Sequence, residues 1–198
     1  MVRIWAKYLA LTGFCSPLPT PYLPYSPSPY LPNPLPTYSP MLQELEQLSI
    51  DTDGRYATDA ELVFFQNYLK TARLRFLLYQ KMQKLEPQLV QKVLMQIKAT
   101  NPGLLKSGNI DVTAKWQRDT VRILRYAATA LLTDDPDIFR DRMLIWFQTV
   151  MKSFKAEQSC EVTYQILQAI LKQTLTPEEA ELFCLYMEMS RTVLGERV

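Results

Sequence analysis

The stretch "TAKWQRDTVRILRYAATALL", Thr113 to Leu132, sets five charged side chains and a tryptophan into an otherwise apolar run. At about 100° per residue, Trp116, Thr120, Ile123, Leu124, Ala127 and Leu131 fall on one arc together with the preceding Val112. Lys115, Arg118, Asp119, Arg122 and Arg125 fall on the other. The spacing predicts an amphipathic helix whose indole turns into a core and whose outer face is charged. Asp119 is placed to pair with Lys115 at i−4 or Arg122 at i+3.

Outward from this helix, the same period runs through the chain from Met41 onward, with little strand pattern. "MLQELEQL" reads as a short helix. A longer one opens on a capping box of Thr58 and Glu61 and is expected to end near Pro87, since an interior proline removes a backbone donor and crowds the preceding turn. "EPQLVQKVLMQIKAT" reads as a separate helix, closed by "NPGLLKSGN". Beyond the central helix, Asp135 is an N-cap with Pro136 at the first helical position. Ser159 marks the start of "CEVTYQILQAILKQTL", and Thr176, Pro177 and Glu179 form a capping box for the last helix. The expectation is an all-α bundle over residues 41–198.

Residues 1–40 have another texture: ten of the fourteen prolines lie there, in "SPLPTPYLPYSPSPYLPNPLPTYSP". Each ring fixes φ and lacks a donor, so this segment is expected to be an extended, disordered extension, or upstream sequence read through a misplaced start. "MVRIWAKYLALTGFC" loosely resembles a secretory signal, but its apolar part is short and bulky Phe14 precedes Cys15. No segment reaches the 20 or so apolar residues of a membrane span.

Composition excludes much chemistry. With 22 basic and 20 acidic residues there is no electrostatic footprint for nucleic acid. Histidine is absent, which removes the commonest acid–base catalyst and metal ligand. Cys15, Cys160 and Cys184 are three and widely spaced, so neither a metal site nor a disulfide framework is indicated, and a reducing, cytoplasmic compartment is expected. Five glycines form no phosphate-cradling pattern. The acid pairs Asp134–Asp135 and Glu178–Glu179 sit at helix starts, where capping and the helix dipole account for them. The chain is expected not to be an enzyme.

"DTDGRYATDAELVFFQNYL", "RDTVRILRYAATALLTDDPDIF" and "EEAELFCLYMEM" together resemble the phycobiliprotein family, the allophycocyanin β-type subunit in particular. The resemblance runs from about Leu42 to Leu194 and implies a globin-like helical bundle with extra N-terminal helices, as in phycocyanin, assembled into light-harvesting phycobilisomes at the thylakoid membrane. Family members carry a linear tetrapyrrole on a cysteine followed by x-Arg-Asp. The matching string here is Trp116-Gln117-Arg118-Asp119, so the cysteine is replaced by Trp116. Without a thiolate no thioether forms, and the indole takes space that a pigment ring would need. The segment from Asn109 to Trp116 is also about three residues short of the family's. The resemblance thus implies no covalent bilin at Trp116, while Arg118 and Asp119 could hold a bilin non-covalently. Cys160 and Cys184 match no attachment position and read as small buried hydrophobes.

Phycobiliprotein subunits pair by laying N-terminal helices on the partner's central helix, where an aspartate meets an arginine. Asp51 and Arg125 match those positions, with Leu42, Leu45, Leu48 and Ile50 as the apolar residues such a contact would bury. What this implies is a pigment-free protein that binds phycobiliprotein subunits or phycobilisome linkers, as a hetero- or homodimer, in assembly, turnover or capping of the antenna. The alternatives are a light-harvesting subunit with non-covalent bilin and a non-haem globin-like sensor. An ordinary haem globin is disfavoured, since no histidine is present to ligate iron.

Overall fold

Helix α1 (Met41–Asp51) opens the computed structural model, which describes residues 41–196. It is followed by α2 (Val63–Thr100), α3 (Thr113–Thr133), α4 (Pro136–Phe139), α5 (Ile145–Ser153), α6 (Glu157–Thr174) and α7 (Pro177–Gly195). The all-α expectation is met. The readings on the proline-rich extension and the signal-like N-terminus lie outside the described residues.

Three boundaries differ from expectation. The Thr58–Glu61 box forms, Glu61 Oε2 accepting from Thr58 N at 2.7 Å and Thr58 Oγ1 from Glu61 N at 3.4 Å. It closes a pair of turns, however, and regular helix starts only at Val63. α1 is the helix ahead of α2 among the described residues. Pro87 does not divide α2, which continues for 38 residues. Leu78 and Met82 before it and Leu89, Val93 and Ile97 after it are all buried against neighbouring helices, so packing on both sides outweighs one lost hydrogen bond. Finally, α6 begins at Glu157, two residues ahead of Ser159, and no side chain caps it.

The other signals hold. Asp135 Oδ1 accepts from Ile138 N at 2.8 Å with Pro136 in the first turn, and both bonds of the Thr176–Glu179 box are present. "NPGLLKSGN" forms a 3₁₀ turn (Pro102–Leu105) and leads into a minimal hairpin, β1 (Lys106–Ser107) paired antiparallel with β2 (Ile110–Asp111). Gly108, at φ +62°, supplies the left-handed residue of its turn. Between α4 and α5 the helix passes through a π turn, Arg140–Leu144. The wider turn keeps Phe139, Met143 and Phe147, spaced four apart, facing the core, where Phe139 meets Tyr186 edge-on at 5.8 Å.

α6 and α7 form the most extensively packed pair, α2 packs on α3 and α6, and α3 also meets α7. Their shared core is built on Leu78, Ile97, Ile123, Leu131, Leu167 and Phe183. α1 contributes no buried residue and packs chiefly on α2. The central helix therefore has one face in the core and one left over, which is the geometry the site is built on.

Candidate functional site

α3 starts where Asp111 Oδ1 accepts from Thr113 N at 2.7 Å, which sets the first turn so that Trp116 points inward. The indole is 8% exposed, and its Nε1 donates to Thr163 Oγ1 of α6 at 2.9 Å. Thr120, one turn on, returns its hydroxyl to the Trp116 carbonyl at 2.8 Å. Bulk and polar atom alike are thus accommodated by this chain's own residues.

Beside it, the pairing expected of Asp119 does not occur: no salt bridge closes on it among the described residues. Lys115 Nζ instead lies 3.9 Å from the centre of the Phe154 ring, just past α5, a cation–π contact. Asp119 is half-buried, and desolvation pushes its carboxyl above the usual carboxylate range against the pull of Lys115, Arg122 and Arg118. Its field reaches α6. Burial first, and Asp119 next, push the Cys160 thiol up to about 12, so Cys160 stays a thiol at neutral pH. Cys184 is also buried, and its thiol is shifted upward by desolvation. Neither is an activated nucleophile.

On the outer face of α3, Arg118 is exposed and Arg122 half-buried. With Gln117, Val121, Arg125 and Tyr126 they line a shallow groove of about 410 Å³. Arg125 is fixed within the chain. Its Nε and Nη2 donate to the two carboxylate oxygens of Glu86 on α2, at 2.8 and 2.7 Å, a two-pronged pair. A second cleft, of about 420 Å³, lies beside that pair at the crossing of α2 and α3, with Met82, Leu124 and Ala128 among its lining residues.

The N-terminal part of the expected contact stands apart. On α1, Leu42 and Ile50 are exposed and Leu45 and Leu48 half-buried. Asp51 accepts from Gln47 Nε2 at 2.9 Å, and its carbonyl accepts from Arg55 at 3.2 Å. Arg55 in turn forks onto Glu61 at 2.7 and 3.0 Å, which fixes the connection around Gly54, at φ +74°. Tyr56 in this connection is 98% exposed. Asp51 and Arg125 do not pair with each other within the chain: Asp51 is bonded to Gln47, and Arg125 to Glu86. Glu86 and Thr163 carried no signal in the sequence: each acts on α3 across 39 and 47 residues of chain, beyond any helical period.

The sequence model of the phycobilisome protein family matches residues 48–194 of the 198. The chain belongs to that family, and the all-α bundle is its globin-like fold. No curated protein matches the chain. At position 116 an indole stands packed, and the two described thiols are buried with raised pKa values.

Proposed function

We propose that this member of the phycobilisome protein family is a pigment-free, allophycocyanin β-like binding protein, which docks on phycobiliprotein subunits or linkers and serves antenna assembly, turnover or capping. The observation that carries the reading is the Trp116–Thr163 pair: a buried indole hydrogen-bonded across to α6 fills the position that the resemblance assigns to chromophore attachment, and keeps the bundle packed without a cofactor. The docking elements are α1, with Leu42, Leu45, Leu48 and Ile50, the Asp51 connection, and the outer face of α3. An amphipathic helix without a buried residue is spare apolar surface of the kind that an interface covers.

In this reading the protein is not an enzyme, and it resides in the cytoplasm, peripheral to the thylakoid membrane through the phycobilisome. No helix among the described residues is long and apolar enough to cross a membrane. A second reading, a non-covalent bilin carrier, is favoured by one observation. Asp119 is half-buried without a hydrogen-bonding partner among the described residues and lies beside Arg118, so a carboxylate and a guanidinium stand ready for ring nitrogens and a propionate. A non-haem sensor is the remaining alternative.

Expression together with a bilin-producing pathway separates them. The binding reading expects colourless protein that captures allophycocyanin subunits, with capture weakened by Asp51→Arg. Visible absorbance lost on a denaturing gel supports the non-covalent carrier, and pigment retained through denaturation overturns both. Colourless protein that captures no antenna component leaves the sensor.

A further inference from the structure

We propose that Asp53–Gly54 is a site of spontaneous backbone rearrangement, where the Gly54 amide captures the Asp53 side chain to give isoaspartate, and that the product releases α1 from the connection that holds it. This is a modification of the chain itself and holds whether or not the partner reading does.

Of the five glycines, Gly54 is the one that follows an aspartate or asparagine. The pair lies in the connection between α1 and α2, where Arg55 N donates to the Thr52 carbonyl at 3.0 Å and closes a tight turn. Gly54 has φ +74° at the third position, as a type II turn requires, and both it and Asp53 are exposed. In such a turn the central N–H faces out. Thr52 N and Asp53 N donate to the Leu48 and Ile50 carbonyls at 3.0 and 3.3 Å, but among the described residues no hydrogen bond engages Gly54 N or the Asp53 carboxylate. A Cβ at Gly54 would meet nothing within 4 Å, so the space beside this nitrogen is open, and glycine itself has no side chain to hinder its approach. The nucleophile and the carbon it attacks are neighbours in the chain, solvated and unshielded.

The step needs no other reagent than water. Gly54 N attacks Asp53 Cγ, a C–N bond forms, and the amide proton leaves with one carboxyl oxygen and its proton as water, closing a succinimide ring. Water then adds to the Asp53 main-chain carbonyl and breaks its bond to Gly54 N. The chain now runs through Cβ and Cγ, the former main-chain carbonyl becomes a free carboxylate, and nothing is oxidised or reduced. One extra backbone bond, about 1.5 Å long, enters a turn that a single hydrogen bond closes. Around that turn, Arg55 reaches the Asp51 carbonyl at 3.2 Å and the two oxygens of Glu61 at 2.7 and 3.0 Å, which ties the end of α1 to the turns ahead of α2. α1 has no buried residue of its own, so this tie and its packing on α2 are what hold it. Lengthening the turn moves Asp51 out of register with Arg55 and frees α1.

The test incubates full-length protein at neutral pH, folded and in urea, in water labelled with heavy oxygen, which each ring opening incorporates. Isoaspartate is read by peptide mapping and by methyl transfer from an isoaspartyl methyltransferase. The folded chain is expected to form it at Asp53 at least about tenfold faster than at any other aspartate, and within about tenfold of the urea-unfolded rate. Asp53→Glu, whose ring closure is larger and slower, abolishes the signal, and Asp53→Asn raises it more than about tenfold, with ammonia leaving in place of water. A folded rate further below the unfolded one, or a signal that survives Asp53→Glu, overturns the site. Amide exchange across residues 41–62 is expected to quicken by about tenfold in the isoaspartyl fraction, the rest of the chain being unchanged. Equal exchange in the two forms overturns the release of α1. None of these readouts uses an antenna subunit, so failure here leaves the partner reading untouched.

Discussion

Arg75 and Arg125 both bridge α2 to α3 through a carboxylate, but in opposite surroundings. Arg75 meets Asp134 at 2.6 Å with side chains 9% and 12% exposed. It also donates to the Leu131 carbonyl at 3.1 Å and to Thr71 Oγ1 at 3.0 Å, while Tyr68 donates to the Leu132 carbonyl nearby. Arg75 thereby caps the C-terminal carbonyls of α3, which an intrahelical ladder leaves open, at the left-handed turn where Asp134 has φ 55°. Burial pushes the Asp134 carboxyl up despite the pull of Arg75, the mark of a pair whose desolvation rivals its attraction. In Arg125–Glu86 the acid is enclosed to a similar degree, at 15% exposed, but the arginine is 69% exposed. The buried pair closes the C-terminal end of α3, and the other ties the outer face of α3 to α2.

The contrast is broken most directly at Arg75. Arg75→Ala strands a buried carboxylate and two acceptors, and a loss of about 3–5 kcal/mol is expected in urea denaturation. An unaltered midpoint would make the buried pair as dispensable as the exposed one. Trp116→Ala is expected to cost a similar amount, about 3–5 kcal/mol, by opening a cavity beside α6. Thr163→Val leaves the indole N–H without its acceptor and should cost about 1–3 kcal/mol, read by the same titration. Arg125→Ala, by contrast, should leave the urea midpoint unchanged, since exposed ion pairs contribute little. A clear drop would move that pair into the scaffold.

The smallest effect concerns acid. Arg191 holds the Glu188 carboxyl down to about 2 from 4.5, and Gln168 assists. Because the folded value is the lower one, the unfolded chain binds the extra proton between about 4.5 and 2. This contribution is present above that window and is lost as pH falls through it. Melting temperatures followed from pH 5 to pH 2.5 should fall less in Glu188→Gln than in the wild type. Equal slopes would show that the α6–α7 network carries no linkage.

Much of the architecture was legible because helix signals are local. The inward arc of Trp116, Ile123 and Leu131 follows from a period of 3.6, and the caps at Asp135 and Thr176 involve residues three apart. Pro87 misled for the converse reason: its local preference is real, but the buried residues on both sides of it belong to contacts with α3 and α6. At the candidate site, Trp116, Asp119 and Arg125 could be singled out from residue type and order. Their partners could not.

The amino-acid order alone determined that residues 41–196 would be largely helical, that an indole would face the core of the central helix, and that cations would line its other face, since each depends on neighbours within a turn or two. Folding in three dimensions decided that Thr163 would satisfy the indole, that Asp119 would go without the pairing its spacing permits, and that Glu86 would take up Arg125. These outcomes join residues far apart in the chain. They turn on which helices cross and at what depth, a matter settled by packing of the whole core rather than by any single segment.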